Sequence, residues 1–496
     1  MAILPLALYT AAQVRELDRC TIEEFGISGA TLMERAGTAT LEQLRKHWPQ
    51  AQRLVVICGI GNNGGDGYVL ARLARKAEMY VAVYQVGDAD KLSADARAAR
   101  QALLDSGIKI LPFRPQALHS ADVVADAIFG TGLSREVAGP WADAIHAINA
   151  SGHPVLSLDI PSGLHADTGS ILGAAVKAQV TATFVGLKQG LFTHLGPDYC
   201  GEIAFDSLRI PPEVYKRVTP SAYRIILEER IAKLPPRARA GHKGDYGHVL
   251  IIGGEQGMPG AARMAGEAAY RVGAGLVSLA TRGQHASLLN MARPELMCYG
   301  VESPEDLKPL LERATVVVVG PGLGQGAWGQ MMLNEALNTV HPLVVDADAL
   351  NLLAKQPRQH NHWIITPHPG EASRLLARNI EEIQANRFVA VRDLHQRYGG
   401  VAVLKGNGTL ICPGDLPLGL CTAGNPGMAS GGMGDVLSGT IAGLLAQGLT
   451  LSEAAHLGVT IHAMAGDRAA REGGERGLLA GDLMFYLRRL ANLQIS

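Results

Sequence analysis

Leu54-Val55-Val56-Ile57-Cys58-Gly59-Ile60-Gly61-Asn62-Asn63-Gly64-Gly65-Asp66-Gly67 decides how the first half of the chain is read. The run 54–58 is continuously apolar, which suits a strand buried on both faces. Glycines follow it, and then 68–77 at helical spacing. Strand, glycine loop and helix together deliver a ligand's charge to a helix N-terminus. The spacing is not a G-x-G-x-x-G with an acidic residue on the next strand. No Gly-Lys-Ser/Thr follows, so it is not a Walker loop either.

The same alternation spreads outward from this stretch. Thr10 can cap a helix that begins at Ala11, and a second helix begins near Leu32. Strands are expected at 80–86, 121–129, 154–160 and 180–185, with helices at 94–106 and 141–150. Strands alternating with helices imply a mainly parallel sheet with ligands at the strands' carboxyl ends. Asn62–Gly67, Asp126–Leu133 and Asp159–Gly163 all fall there. Between 210 and 237 the rhythm is lost in a proline-bearing connection. It resumes with strands at 248–252, 276–280, 314–319, 342–345 and 363–366, a helix at 259–270, and a hairpin pairing 401–404 with 409–412. The fold class is α/β, in two domains, 1–217 and 218–496.

Bulk composition agrees with a globular enzyme. The chain has 496 residues, enough for two or three domains, and is 47% hydrophobic with 18% charged. The 45 Lys+Arg nearly balance the 46 Asp+Glu, so charge points to no nucleic acid and no membrane surface. The six cysteines form no C-x-x-C pair, which argues against a zinc site and fits a reducing compartment. The N-terminus lacks a basic region ahead of its short apolar run, so no signal peptide is expected. No apolar run approaches the ~20 residues of a membrane span.

In the second half, Gly424-Asn425-Pro426-Gly427-Met428-Ala429-Ser430-Gly431-Gly432-Met433-Gly434-Asp435 feeds an apolar helix. Unpaired amides at a helix start make an anion site. An aspartate is a poor neighbour for phosphate unless it serves as a base while the loop holds a transferring phosphoryl group. A capped helix after a surface loop would look the same. Four more glycine-rich strand ends accompany it: Gly253-Gly254, Gly320-Pro321-Gly322-Leu323-Gly324, Pro367-His368-Pro369-Gly370-Glu371 and Lys405-Gly406-Asn407-Gly408-Thr409. Lys405 can hold a phosphate as a point charge, or be a solvated hairpin lysine. His368 is either a ligand contact or a turn histidine. Asp346 at a strand end is either functional or a helix cap. In the first half, Asn62, Asn63, Asp126, Asp159 and Ser162 offer hard oxygens of low total charge, suited to an alkali or alkaline-earth cation. Plain turns and strand-end caps remain the alternative readings there.

The motifs Gly59 to Gly67, Asp126-Ala127-Ile128-Phe129-Gly130-Thr131-Gly132 and Asp159-Ile160-Pro161-Ser162-Gly163 together resemble the NAD(P)H-hydrate epimerase domain. Gly320 to Gly324, Thr366 to Glu371, Lys405-Gly406, and Gly424 to Asp435 resemble the ADP-dependent NAD(P)H-hydrate dehydratases, relatives of the ribokinase-like kinases. Their order is similar to that of the fused bacterial repair enzymes. The resemblance implies a Rossmann-like three-layer αβα sandwich followed by a ribokinase-like αβα domain. It implies that the first domain interconverts the R and S hydrates of NADH and NADPH. The second would dehydrate the S form, with ADP as phosphoryl donor.

The family pattern puts the first hydrate site on Asn62, Asn63, Gly64, Gly65, Asp66, Gly130, Thr131, Gly132, Leu133, Ser134, Arg135, Glu136 and Asp159. Potassium contacts fall on Asn63, Asp126 and Ser162. The second hydrate site falls on Ala261, Gly322, His368 and Asp435, and the nucleotide on Lys405, Gly406, Asn407, Gly408, Thr409 and Gly434. Asp159 and Asp435 are the implied catalytic groups, and Mg²⁺ is expected to accompany ADP. The expectation is a cytoplasmic homo-oligomer, tetramer or larger, acting on NADHX, NADPHX and ADP. Two rivals share part of the pattern. One is a small-molecule kinase with an accessory N-terminal unit; the other has a non-catalytic binding module as its first half.

Overall fold

The computed structural model describes residues 4–291 and 293–493. The chain divides into two compact units between Tyr223 and Arg224. In the first, a short strand, Ala7–Tyr9, precedes helices α1 (Ala11–Glu23) and α2 (Gly29–His47). Thr10 and Gln13 form a reciprocal capping box at the start of α1. Strands β1 (Arg53–Cys58), β2 (Tyr80–Gln85), β3 (Ile110–Pro112), β4 (Val123–Ala127), β5 (Val155–Leu158), β6 (Val180–Phe184) and β7 (Glu202–Asp206) form a parallel sheet in the order β3-β2-β1-β4-β5-β6-β7.

Alternation along β1 builds three layers. Leu54, Val56 and Cys58 pack with Leu17, Leu32 and Leu70 on one face. Val55 and Ile57 pack with Ile145 and Ile148 on the other. The last two belong to the helix Pro140–Ala150.

One expectation is corrected here. Helix α3 runs over Asn62–Lys76, so the residues read as a glycine loop are its first two turns. The glycines serve close packing. A Cβ at Gly64 would lie 2.2 Å from the Gly59 carbonyl oxygen, and one at Gly65 would lie 2.5 Å from Met33 Cε. Only Gly lets this helix start so close to its strand.

In the second unit, β8 (His248–Ile252), β9 (Leu276–Thr281), β10 (Met297–Gly300), β11 (Val316–Val319), β12 (Leu343–Val345), β13 (Trp363–Ile365) and β14 (Val401–Leu404) are parallel, in the order β10-β9-β8-β11-β12-β13-β14. The hairpin expected from 401 to 412 is present: β15 (Thr409–Cys412) pairs antiparallel with β14, and β16 (Leu418–Cys421) with β15. One face of the sheet packs on helices α4 (Pro259–Val272), α5 (Met433–Leu445) and α6 (Leu451–Gly473), which share a single apolar cluster with Val249, Ile251 and Val318. Small residues let α4 and α5 touch. A Cβ at Gly439 would lie 1.9 Å from the Ala265 carbonyl oxygen. That contact fixes the start of α5, and with it Asp435, beside the start of α4.

Candidate functional site

Each unit holds a cleft where its strands end. The first is a cavity of about 380 Å³ lined by Asn62, Asn63, Asp66, Gly130 to Leu133 and Asp159, together with Asp18 and Met33. Asp159 follows β5 with φ +66°, a left-handed conformation unusual for a non-glycine residue. Its carboxylate pairs with the Lys188 ammonium, which also donates to Thr183 Oγ1 at 3.1 Å and to the Phe184 carbonyl at 2.8 Å. Lys188 is fully buried. Gly130 completes the corner: a Cβ there would lie 3.3 Å from both Asn63 Cβ and Asp159 Oδ2.

Behind this wall lies an oxygen-rich nest. The buried Asp126 carboxylate accepts from Ser157 Oγ (2.8 Å), Ser162 N (2.9 Å) and Ser162 Oγ (2.6 Å). Burial pushes its pKa up, and the Ser162 hydrogen bonds oppose this. Asn63 is also buried, and neither Oδ1 nor Nδ2 of its amide has a hydrogen-bond partner among the described residues. A buried amide left so is costly.

Not every residue expected at this site faces the cavity. Gly64 and Gly65 are packed inside α3, and Ser134, Arg135 and Glu136 are exposed beyond the cavity lining. Asp126 and Ser162 sit behind the cavity wall, and Asn63 bridges the two environments.

The second cleft, of about 480 Å³, brings together Ala261, Gly322, His368 and Asp435, with Asp348, Glu371 and Arg374. Asp435 lies in the first turn of α5, behind Gly432, whose φ of +90° and lack of a side-chain cap leave the helix start open. Burial, and then the Asp346 charge, raise its pKa to about 7 against the pull of Lys405. That is a carboxylate poised to accept a proton near neutrality.

His368 caps the helix Pro369–Leu376: its Nδ1 accepts from Gly370 N at 3.0 Å, and Glu371 accepts from His368 N at 2.8 Å. Burial, then Lys405, lower the His368 pKa to about 4. The ring is therefore neutral, with its proton on Nε2. It is at once a turn histidine and a lining group.

The structure separates two further alternatives left open by the sequence. Asp346 makes no capping hydrogen bond. Its carboxylate is buried against Lys405 Nζ at 2.7 Å and accepts from Ser438 Oγ at 2.6 Å. Lys405 is accordingly no solvated hairpin lysine. Glu371 lies 3.7 Å from it as well. A Cβ at Gly434 would lie 3.3 Å from Lys405 Nζ and 3.4 Å from Asp346 Oδ2. The turn 405–409 is held by the buried Arg387, which donates to the carbonyls of Leu404, Lys405 and Gly408. Gly406 and Asn407 remain exposed on it.

Two family models cover these units. Residues 29–190 match the model described as YjeF-related protein N-terminus, and residues 249–489 match NAD(P)H-hydrate dehydratase. The chain is 52% identical to the bifunctional NAD(P)H-hydrate repair enzyme of Coxiella burnetii, over 98% of this chain and 99% of that one. The chain belongs to the bifunctional NAD(P)H-hydrate repair enzyme family. The Escherichia coli enzyme of that name is 43% identical over 99% of this chain and 95% of its own length. For the fold of the second unit, a ribokinase-like superfamily protein from Enterococcus faecalis superposes with a TM-score of 0.50. It is 29% identical and covers 54% of this chain and 94% of its own.

Sequence motifs thus lead to the family of this repair enzyme and to both its folds. They do not lead to Lys188 or Asp18. Lys188 is the second residue of a two-residue strand, Leu187–Lys188, and Asp18 lies mid-helix on α1, where nothing in spacing sets it apart from a surface charge.

Proposed function

We propose that this repair enzyme restores hydrated NADH and NADPH in two steps. The first domain interconverts the R and S hydrates, and the second dehydrates the S form, converting ADP to AMP and phosphate. The observation that carries this reading is Asp435. It is a carboxyl with a pKa of about 7, in one cleft with Ala261, Gly322 and His368, at an open helix start.

Hydroxide leaves poorly from the reduced ring. Phosphorylation makes it a good leaving group, which the ring nitrogen's lone pair then expels. Asp435 takes the proton from the ring hydroxyl as its oxygen attacks the terminal phosphoryl group of ADP. The amides of Gly432 to Gly434 face the charge that develops there. Such a donor is typically worth about 3–4 kcal/mol of transition-state stabilisation. The neutral His368 offers an Nε2–H to the hydrate without adding charge.

On this reading the turn Lys405, Gly406, Asn407, Gly408 and Thr409 holds the nucleotide, with Gly434 close by. No group of three His, Cys, Asp or Glu side chains among the described residues forms a metal cage. Mg²⁺ would therefore come with the nucleotide, neutralising its phosphate charge.

In the first domain Asp159 is the acid–base group at the hydrate, among Asn62, Asn63, Asp66 and Gly130 to Leu133. Potassium fits the nest behind it, because the unpartnered Asn63 amide oxygen is the kind of hard donor such an ion takes. Asn63, Asp126 and Ser162 would hold it, and its charge would favour an electron-rich ligand at the cavity floor. No helix among the described residues is long and apolar enough to cross a membrane. The proposal places the chain in the cytoplasm as a homo-oligomer.

The test incubates purified protein with racemic NADPH hydrate, with and without ADP, and follows absorbance of the reduced ring. Full ADP-dependent recovery is expected. Conversion that stops at half, beyond slow spontaneous epimerisation, would remove the epimerase reading. A stable phosphorylated product without NADPH would replace the dehydratase with a kinase.

A further inference from the structure

Asp18 comes from α1, an element that carries none of the site motifs. It lines the same cavity as Asp66 and Asp159. The three carboxyls stand on three different elements: α1, the early turns of α3, and the end of β5. One buried ammonium, Lys188, serves all of them, and its direct ion pair is with Asp159. Among the other groups facing the cavity, Arg15 on α1 and Asp95 bring one charge of each sign. Tyr215 donates its hydroxyl to the Val185 carbonyl at 2.7 Å.

Three carboxyls against one buried ammonium do not all ionise in a cavity walled by Val14, Leu32, Met33, Phe184 and Val185. Burial, opposed by Lys188 and reinforced by Asp159, raises the Asp18 pKa to about 7. Burial and the Asp159 charge push Asp66 well above its ordinary value. Asp159 is the ion-paired member of the cluster, and near neutrality Asp18 can carry a proton.

We propose that Asp18 is the second proton-transfer group of the epimerisation, working with Asp159 from another wall of the cavity. The proposal rests on the epimerase reading of this domain. The carbon that bears the hydroxyl is bonded to the ring nitrogen. Its C–O bond breaks, and the electron pair leaves with the oxygen, which takes the Asp18 proton and departs as water. The nitrogen lone pair forms a C=N bond in its place. Water then adds to the other face of that carbon. The C=N pair returns to nitrogen, and the proton released by the water passes to Asp159. The opposite epimer reacts through the same states in reverse, with the two roles exchanged. Bulk water resets the proton between turnovers. Turnover therefore needs one proton on the Asp18–Asp159 pair, and raising pH past the point where Asp18 loses it shuts the reaction down.

The experiment measures interconversion of the R and S hydrates by the full chain, with the epimers resolved by chromatography, for wild type, Asp18→Asn, Asp18→Glu and Asp159→Asn. Wild-type kcat should decline above pH about 7. Asp18→Asn should lower kcat by roughly 10²–10⁴-fold with KM within a few-fold, and its residual activity should lose that decline. Asp18→Glu should recover part of the rate, which separates chemistry from folding. ADP-dependent dehydration of the S hydrate should be unchanged in every variant. An Asp18→Asn protein with wild-type kcat, an unchanged pH decline, or an effect confined to KM overturns the proposal. Wild-type protein that never epimerises removes the epimerase reading itself. Asp159→Asn inactive beside a fully active Asp18→Asn removes only the role of Asp18.

Discussion

The two clefts each hold a buried lysine–aspartate pair, and the pairs are built in opposite senses. In the first, Lys188 is 0% exposed and Asp159 16%, so the cation lies behind and the carboxylate reaches the cavity. In the second, Asp346 is 1% exposed and Lys405 18%, so the carboxylate lies behind and the cation reaches outward. The first arrangement presents a carboxylate whose charge is matched. The second sets its cation 3.7 Å from Glu371, which lines the cleft, and leaves the cleft's own carboxylate, Asp435, without a direct ion pair among the described residues. One pair of residue types thus gives an ion-paired carboxylate at the cavity in one place and a carboxyl without a direct ion pair near a buried cation in the other. Burial of one partner or the other decides which.

The largest effect should come from the unmatched carboxylate. Asp435→Ala is expected to lower ADP-dependent dehydration by roughly 10²–10⁴-fold while epimerisation continues. Dehydration persisting in that variant would strip Asp435 of its role.

Next come the lysines. Lys405→Met leaves Asp346 fully buried without its cation and should cost about 3–5 kcal/mol in denaturant unfolding. Lys188→Met should cost less, because Asp159 keeps a route to solvent. The reverse ranking would break the comparison.

Packing gives a smaller effect. Gly64→Ala meets the Gly59 carbonyl, which cannot yield, and should cost about 1–3 kcal/mol. Gly65→Ala meets only the movable end of Met33 and should cost less.

The smallest effect is on pH dependence. Asp435 acts deprotonated, so the dehydration rate should rise roughly tenfold from pH 6 to pH 8, through its pKa of about 7. A flat profile would show that proton removal by Asp435 does not limit the rate.

Much of this was legible in the sequence, and the part that was not has a physical reason. Strand runs such as Leu54–Cys58 and Val316–Val319 are unambiguous because a parallel sheet buries both faces. The glycines at Gly64 and Gly65 mislead, because close packing and loop flexibility call for the same residue. The start of α3 at Asn62 therefore reads as a loop. Asp346 shares its capping signature with many strand-end aspartates, and only the approach of Lys405 and Ser438 from distant segments separates the two uses. Asp18 and Lys188 gain their surroundings wholly from tertiary contacts. Local pattern carries no trace of them.

Arg387 has a consequence for how tightly the second cleft can hold a nucleotide. Its buried guanidinium fixes three carbonyls of the 404–408 turn before any ligand arrives. The loss of conformational freedom is therefore met during folding and is not charged against association. Arg387→Met should leave hydrate affinity in place and weaken ADP mainly by slowing its capture. A loosened turn would populate the receptive shape only part of the time.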